Sequence, residues 1–582
     1  MAVDKIRQIE PDHKKRAEIL FREAGEANEK GQIKFDPHIL CEALGEAEIA
    51  QDKDLMAEIY TIFGMQWGKP YPALSLSIWN KAEDLWIESN NTPKLFALHI
   101  NMALAYYLTG DKFSAANKDA AELFIHKAKV LFNELDVKDC VDESQEAIYY
   151  QNGGTIFRDS NMLQKARAFY EKENLIDSVI AIVDEEIRIA LENTNKAEAI
   201  ELMRLHQQYS EAVGDTEFVN VIETRISNID TLKPGPRYII KDNNNIFQVL
   251  DIISFREEMV IFTKDYETNK KYYQTDKCNI FFQSDNKLKL IPEFRGIANL
   301  YRGQSQIYRP CVPSLFRDDM NPYNTFEEHL KYSEFCILLH KMPEYQWWEQ
   351  GFIILNRSTG QEERRGLSID DKALAQHYGI KTNLLDITND KWVAAFFACT
   401  KYNPEDDSYS LYDGDNTEGA LYCINLSVDK KYLLRIKPIG AQPFARPTEQ
   451  GAFMFDSKIG EDFTQQCSEE VKFNHHKDAE ILLVELANRA NRLFPREVLQ
   501  EKTWKIVRNA SKQYSKEALD NTIRDFYPNA SKETISKLIY ESGVKICDGP
   551  VYSLSQDDLD IQVARKKEFD KSMINLLKKI QL

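Results

Sequence analysis

Residues 301–317 read YRGQSQIYRPCVPSLFR. Three arginines, three aromatics, two prolines and a glycine crowd into seventeen residues of a chain that is acidic as a whole. This is the composition of a site carried by a strand and the loop after it, not of a helix. Gly303 permits a turn or the close approach of a ligand to the backbone. Arg302 offers a planar fork of donors suited to phosphate or carboxylate. Pro313, Ser314, Leu315 and Phe316 are expected to hold the loop's return against a core, with Arg317 either a second anion contact or a partner for Asp386.

The 582 residues exceed one ordinary core, so several domains are expected. A hydrophobic share of 43% with 29% charged residues is globular composition. Seventy-four basic against 92 acidic side chains leave a net charge of −18, which opposes nonspecific binding to DNA. No apolar run approaches the length of a membrane span, and the N-terminus lacks a signal-peptide pattern, so a cytoplasmic protein is expected. Nine scattered cysteines without a CxxC pair read as reduced thiols, and no metal is expected; His475 and His476 are adjacent, not spaced to share a helical face.

Residues 1–231 read as helix, and Lys81, Lys127 and Lys172 recur in similar helical contexts at separations of 46 and 45. Repeating helix pairs indicate an α-solenoid, because one pair cannot bury its apolar face alone; an irregular helical bundle is the alternative. The pattern resembles degenerate tetratricopeptide repeats over about 50–225, which implies a protein or peptide partner on this array. Near residue 232 the sequence LKPGPRY breaks the pattern. Residues 232–284 read as a small β-rich connection, including IFQVLDIISF and EEMVIFTKDYETNKKYYQ. From 285 to 505 the chain mixes strands and helices, with GALYCINLSV as strand and NDKWVAAFFACTKY as helix behind an Asn389-Asp390 cap. Residues 506–582 read as a helical tail.

Phosphate-loop, Rossmann, zincin and serine-hydrolase motifs are all missing, which removes the usual support for those chemistries. Four clusters remain, in the order YRGQS…PSLFR, QHYGIKTNLLDIT…AAFFA, TEQGAF and LFP. In that order they resemble the FRG domain over about residues 285–505. Two departures stand out: Lys381-Thr382-Asn383 where the family usually has Pro-Thr-Arg, and Glu449 where it commonly has Gln.

The resemblance implies a mixed α+β domain related to the ADP-ribosyltransferases, whose split fold grips NAD between two small sheets. It implies NAD as substrate, Arg302 on the first strand, Tyr378 or Thr382 in the middle and Glu449 opening a late strand as the catalytic carboxylate. Tyr301, Gly303, Gln304, Arg317, Gln376, His377, Asp386 and Gln450 would complete the pocket. The expected activity is ADP-ribosyl transfer to a protein or RNA acceptor, or NAD hydrolysis, with a helical partner-sensing domain suited to a bacterial toxin or anti-phage effector. The alternative is a noncatalytic interaction protein whose pocket binds a nucleotide or peptide. An RNA acceptor would need a basic channel drawn from Arg309, Arg317, Arg364 and Arg365.

Overall fold

The computed structural model describes residues 10–27, 33–114, 118–140, 142–234, 244–265, 278–283, 287–292, 299–317, 321–355, 362–414, 417–425 and 435–579. The chain divides into two compact units, Met1–Tyr266 and Glu267–Leu582.

The first unit is built from helix pairs. They are α1 (His13–Ala24) with α2 (Pro37–Ala50), α3 (Lys53–Trp67) with α4 (Pro72–Glu88), and α5 (Thr92–Phe113) with α6 (Lys118–Asn133). α7 (Glu143–Phe157) with α8 (Ser160–Lys172), and α9 (Ile176–Glu192) with α10 (Lys196–Ala212), complete the five. Short polar residues start these helices by accepting first-turn N–H groups, as Asp52, Asn91 and Asp142 do for α3, α5 and α7.

The periodic lysines fall on α4, α6 and α8, the second helix of successive pairs. Lys81 and Lys127 each lie over a tyrosine twenty-one residues earlier, Tyr60 at 5.7 Å and Tyr106 at 3.9 Å from the ring centre. Glycines mark the crossings. A Cβ on Gly64, Gly110 or Gly154 would lie 2.1, 2.8 and 2.6 Å from Trp79, the Ala121 carbonyl and Leu163 respectively, so each first helix touches its partner closely.

The apolar run IFQVLDIISF and the EEMVIFTKD that follows it, both expected as β-rich, form helix α11 (Ile246–Asp265). Its buried residues Ile246, Val249, Leu250 and Ile253 repeat at helical spacing, while Phe247 and Phe255 extend the apolar surface around the helix. An apolar run of this kind does not separate helix from strand by period alone. Phe255 stacks on Phe113 at 4.1 Å, and Asp251 accepts from Lys112 Nζ (2.5 Å) and Leu74 N (2.9 Å). α11 packs on α4, so the helical unit runs past the expected boundary at 232 to residue 266. The strands expected over 238–243 and 266–274 lie outside the described residues.

The second unit is organised by a six-stranded sheet of β1 (Asn299–Gln304), β2 (Leu384–Thr388), β3 (Glu418–Asn425), β4 (Ile436–Pro438), β5 (Ala452–Asp456) and β6 (Glu469–Asn474). The order is β4-β5-β2-β1-β3-β6, and neighbours are antiparallel. β1 pairs with β3 along its whole length and β5 with β2 likewise. β1 and β2 meet only at Tyr301 and Thr388. The sheet therefore opens into two three-stranded halves joined at one residue pair.

Helix α12 (Lys391–Cys399), capped by Asp390 as expected, is almost wholly buried and lies against β1. A Cβ on Gly303 would fall 1.8 Å from the Ala394 carbonyl oxygen, so the glycine lets α12 approach the strand. The expected helical tail contains helices but also a short parallel pair, Gln513–Ser515 with Lys545–Cys547. No helix among the described residues is long and apolar enough to cross a membrane, and no group of His, Cys, Asp or Glu among them suits a metal ion.

Candidate functional site

Where β1 and β2 part, their facing residues line a cavity of about 230 Å³. Tyr301, Arg302, Gly303 and Gln304 come from one strand, and Asp386, Ile387 and Thr388 from the other. Arg302 spans the gap, donating from Nη1 to the Asp386 carbonyl oxygen at 2.7 Å, a bond that stands where the strand ladder has ended. Phe397 of α12, Tyr409 and Phe494 add aromatic walls. Tyr409 stacks on Phe494 with ring centres 4.5 Å apart.

Gln376 and His377 enter from the end of a short helix, Asp371–His377. Thr382 Oγ1 donates to Gln376 Oε1 (2.7 Å), and Gln376 Nε2 donates to Asp386 Oδ2 (3.0 Å). This relay fixes the carboxylate and leaves Asp386 Oδ1 buried without a partner. Gln450 Nε2 donates to the Leu493 carbonyl (2.9 Å), so its Oε1 accepts from His377 Nδ1 (3.0 Å). His377 therefore carries its proton on Nδ1. Burial depresses its pKa, keeping the ring neutral, and its Nε2 is a buried bare acceptor.

Gln304 Oε1 and Arg302 Nε are the other buried orphans among the lining side chains. The residues lining the cavity thus carry three unpaired acceptors and one unpaired donor, and such groups are costly to bury without a partner.

Nine of the residues expected at the site line this cavity: Tyr301, Arg302, Gly303, Gln304, Arg317, Gln376, His377, Asp386 and Gln450. Three do not. Tyr378 is buried behind it, with its hydroxyl donating to Glu497 and Arg446 lying over its ring. Thr382 supports Gln376 from beneath. Glu449, expected as the catalytic carboxylate, lines a different cavity and accepts from Arg492 Nε at 2.9 Å.

The reason for this last difference is local. Glu449 ends the short helix α13 (Ala445–Glu449), and Gln450 follows before Gly451 takes a left-handed φ of +53° to start β5. Across that junction adjacent side chains point apart, and the amide, not the carboxylate, reaches His377. Gly303 lines the cavity, but its own constraint is contact with α12. Arg317 lines the rim and, among the described residues, makes no ion pair with Asp386.

The basic channel is not assembled. Arg309 pairs with Glu470 and Arg365 with Glu363, and of the four arginines considered only Arg317 lines the cavity. In the loop's return, Leu315 N donates to the Thr382 carbonyl at 3.3 Å. Thr388, Phe397, Tyr409 and Phe494 were not expected at the site. Phe397 was foreshadowed by the paired aromatics of AAFFA and Phe494 by the LFP cluster, whereas Tyr409 had no local signal.

No curated protein and no solved structure is detectably similar to the chain. Residues 298–407 match the FRG domain, covering β1, β2, α12 and most of the cavity's wall. The second unit of this chain therefore carries an FRG domain, with the open seam of its sheet at the candidate site.

Proposed function

We propose that the Arg302 cavity binds the nicotinamide riboside half of NAD and that Asp386 supports cleavage of its glycosidic bond. The observation that carries this reading is the set of orphaned groups: Asp386 Oδ1, His377 Nε2 and Gln304 Oε1 as acceptors against Arg302 Nε as donor. A ribose diol and a ring carboxamide supply the donors those acceptors need, and the carboxamide oxygen accepts from arginine. A phosphate, which offers acceptors only, fits poorly at the cavity floor. The volume of about 230 Å³ lies below the roughly 300–1,000 Å³ of sites for larger ligands, so half a dinucleotide fits while the pyrophosphate reaches the rim at Arg317.

In the reaction the C1′–N bond breaks heterolytically, and its electron pair neutralises the pyridinium as nicotinamide leaves. Positive charge then develops on the ribose, as in glycoside cleavage, and the fixed Asp386 carboxylate stabilises it. Water or an acceptor nucleophile bonds to C1′ and releases its proton to solvent. The opened sheet and the position of Arg302 on its first strand support kinship with the ADP-ribosyltransferases. Gln450, an amide where that scheme has a carboxylate, favours the second reading, a site that binds the same ligand without turning it over. The recurring Lys–Tyr and glycine contacts support reading the first unit as an α-solenoid that engages a protein or peptide.

Calorimetry tests the ligand class. Nicotinamide riboside should bind more tightly than inorganic pyrophosphate and lose affinity in Arg302→Ala. Equal affinities, or a preference for pyrophosphate, would overturn the proposal.

A further inference from the structure

A second cavity, of about 330 Å³, is lined by Ala445, Thr448 and Glu449 of α13. One wall is helix α14 (Val498–Val507) with Glu497 before it. Another is the helix Pro343–Gln350, which contributes Glu344, Trp347 and Trp348. The C-terminal helix Lys566–Lys579 closes it with Phe569, whose ring centre is 5.2 Å from that of Trp347.

The acidic groups of this cavity are committed unequally. Glu449 is paired with Arg492. Glu497 accepts from the Tyr378 hydroxyl and from Ala445 N at 2.8 Å. Glu344 Oε2 is buried and has no hydrogen-bond partner. Burial pushes the carboxyls of both Glu344 and Glu497 upward, outweighing the opposing pull of the Arg565 charge on each. The aromatic wall already receives a cation from the chain itself, because Lys566 Nζ lies 5.0 Å from the Trp347 ring centre. Arg565 is the one basic residue among those lining the cavity, against three carboxylates.

We infer that this cavity binds a small organic cation of guanidinium type, its N–H groups donating to Glu344 and its flat face resting on the tryptophan wall. Its volume falls within the range of small-molecule sites. A guanidinium suits it better than a quaternary ammonium, which has no N–H for the orphaned oxygen. The inference is independent of the ligand bound at Arg302. α13 nonetheless links the two cavities: its Ala445, Thr448 and Glu449 line the second, and Gln450, which follows it directly, lines the first.

The test is calorimetry on the full chain with butylguanidinium and its neutral counterpart butylurea. The cation should bind roughly ten- to a hundredfold more tightly, the range for a hydrogen bond to a charged group. Glu344→Gln, with an unchanged circular dichroism spectrum, should abolish that preference, and Asp386→Asn should leave it intact. Equal affinities of the two probes, no binding of either, or a preference that survives Glu344→Gln would overturn the inference. If Glu344→Gln does not fold, the comparison of the two probes on the unmodified chain decides alone.

Discussion

Gly303→Ala tests how the opened sheet is held together. The added methyl would start 1.8 Å from the Ala394 carbonyl oxygen and 2.8 Å from Ala398 N, both backbone atoms of α12. Side-chain Cβ atoms do not approach other heavy atoms within 3.0 Å, so strand or helix must retreat by more than an ångström. No rotamer change relieves a clash with backbone. α12 has little room to move, because Val393, Ala394, Ala395, Phe396, Ala398 and Cys399 are all buried. Phe396 would be driven into Phe494 and Tyr409, which form the cavity's far wall. Overpacking of this kind costs about 1–3 kcal/mol, and the backbone contact places this case at the upper end or beyond. Urea denaturation followed by circular dichroism should show the midpoint falling by on the order of 1 M. Gly549→Ala, with nothing within 4 Å of its Cβ, should shift stability by no more than about 0.5 kcal/mol. A Gly303→Ala protein as stable as this control would refute the packing of α12 on β1.

Three further outcomes follow from buried polar groups. Tyr378→Phe removes the donor to the buried Glu497 carboxyl and should cost about 1–3 kcal/mol by denaturation, while leaving affinity at the Arg302 cavity unchanged. Burial lowers the His329 pKa to about 4, so the unfolded ring takes a proton below about 6.5 and the folded ring does not until about 4. Stability should therefore fall by up to about 3 kcal/mol as pH drops through that window, and His329→Phe, which retains the stack on Phe526, should flatten this part of the profile. Lys112→Ala strands Asp251, which is fully buried, at a cost of about 3–5 kcal/mol; limited proteolysis should then cut within α11, and protection equal to wild type would contradict the packing described.

Much of the second unit was legible because its signals are local. The cap at Asp390, the apolar run of α12 and strand β3 all sit where residue type and spacing place them. The helix-pair repeat was legible through Lys81, Lys127 and Lys172, although the glycine crossings that explain its period required the packed helices. The strand misread over α11 came from an apolar surface too broad to show a clean period. The exchange of Glu449 for Gln450 had a different cause. A helix end, a left-handed glycine and a strand start follow within three residues, and no single period relates side-chain directions across them. Tyr409 reaches the site through tertiary packing from a segment that none of the four clusters contains, so residue spacing could not report it, whereas Phe494 lies within the LFP cluster.

The most direct measurement is release of nicotinamide from NAD by the full chain, compared with Asp386→Asn and Glu449→Ala. Wild type should release nicotinamide, and Asp386→Asn should lose about 10²–10³ in rate, the cost of one preorganised electrostatic contact. Glu449→Ala should keep its rate, because Glu449 is paired with Arg492 and does not line the Arg302 cavity. Loss of turnover in Glu449→Ala with full activity in Asp386→Asn, or no nicotinamide released by wild type, would contradict the proposed function.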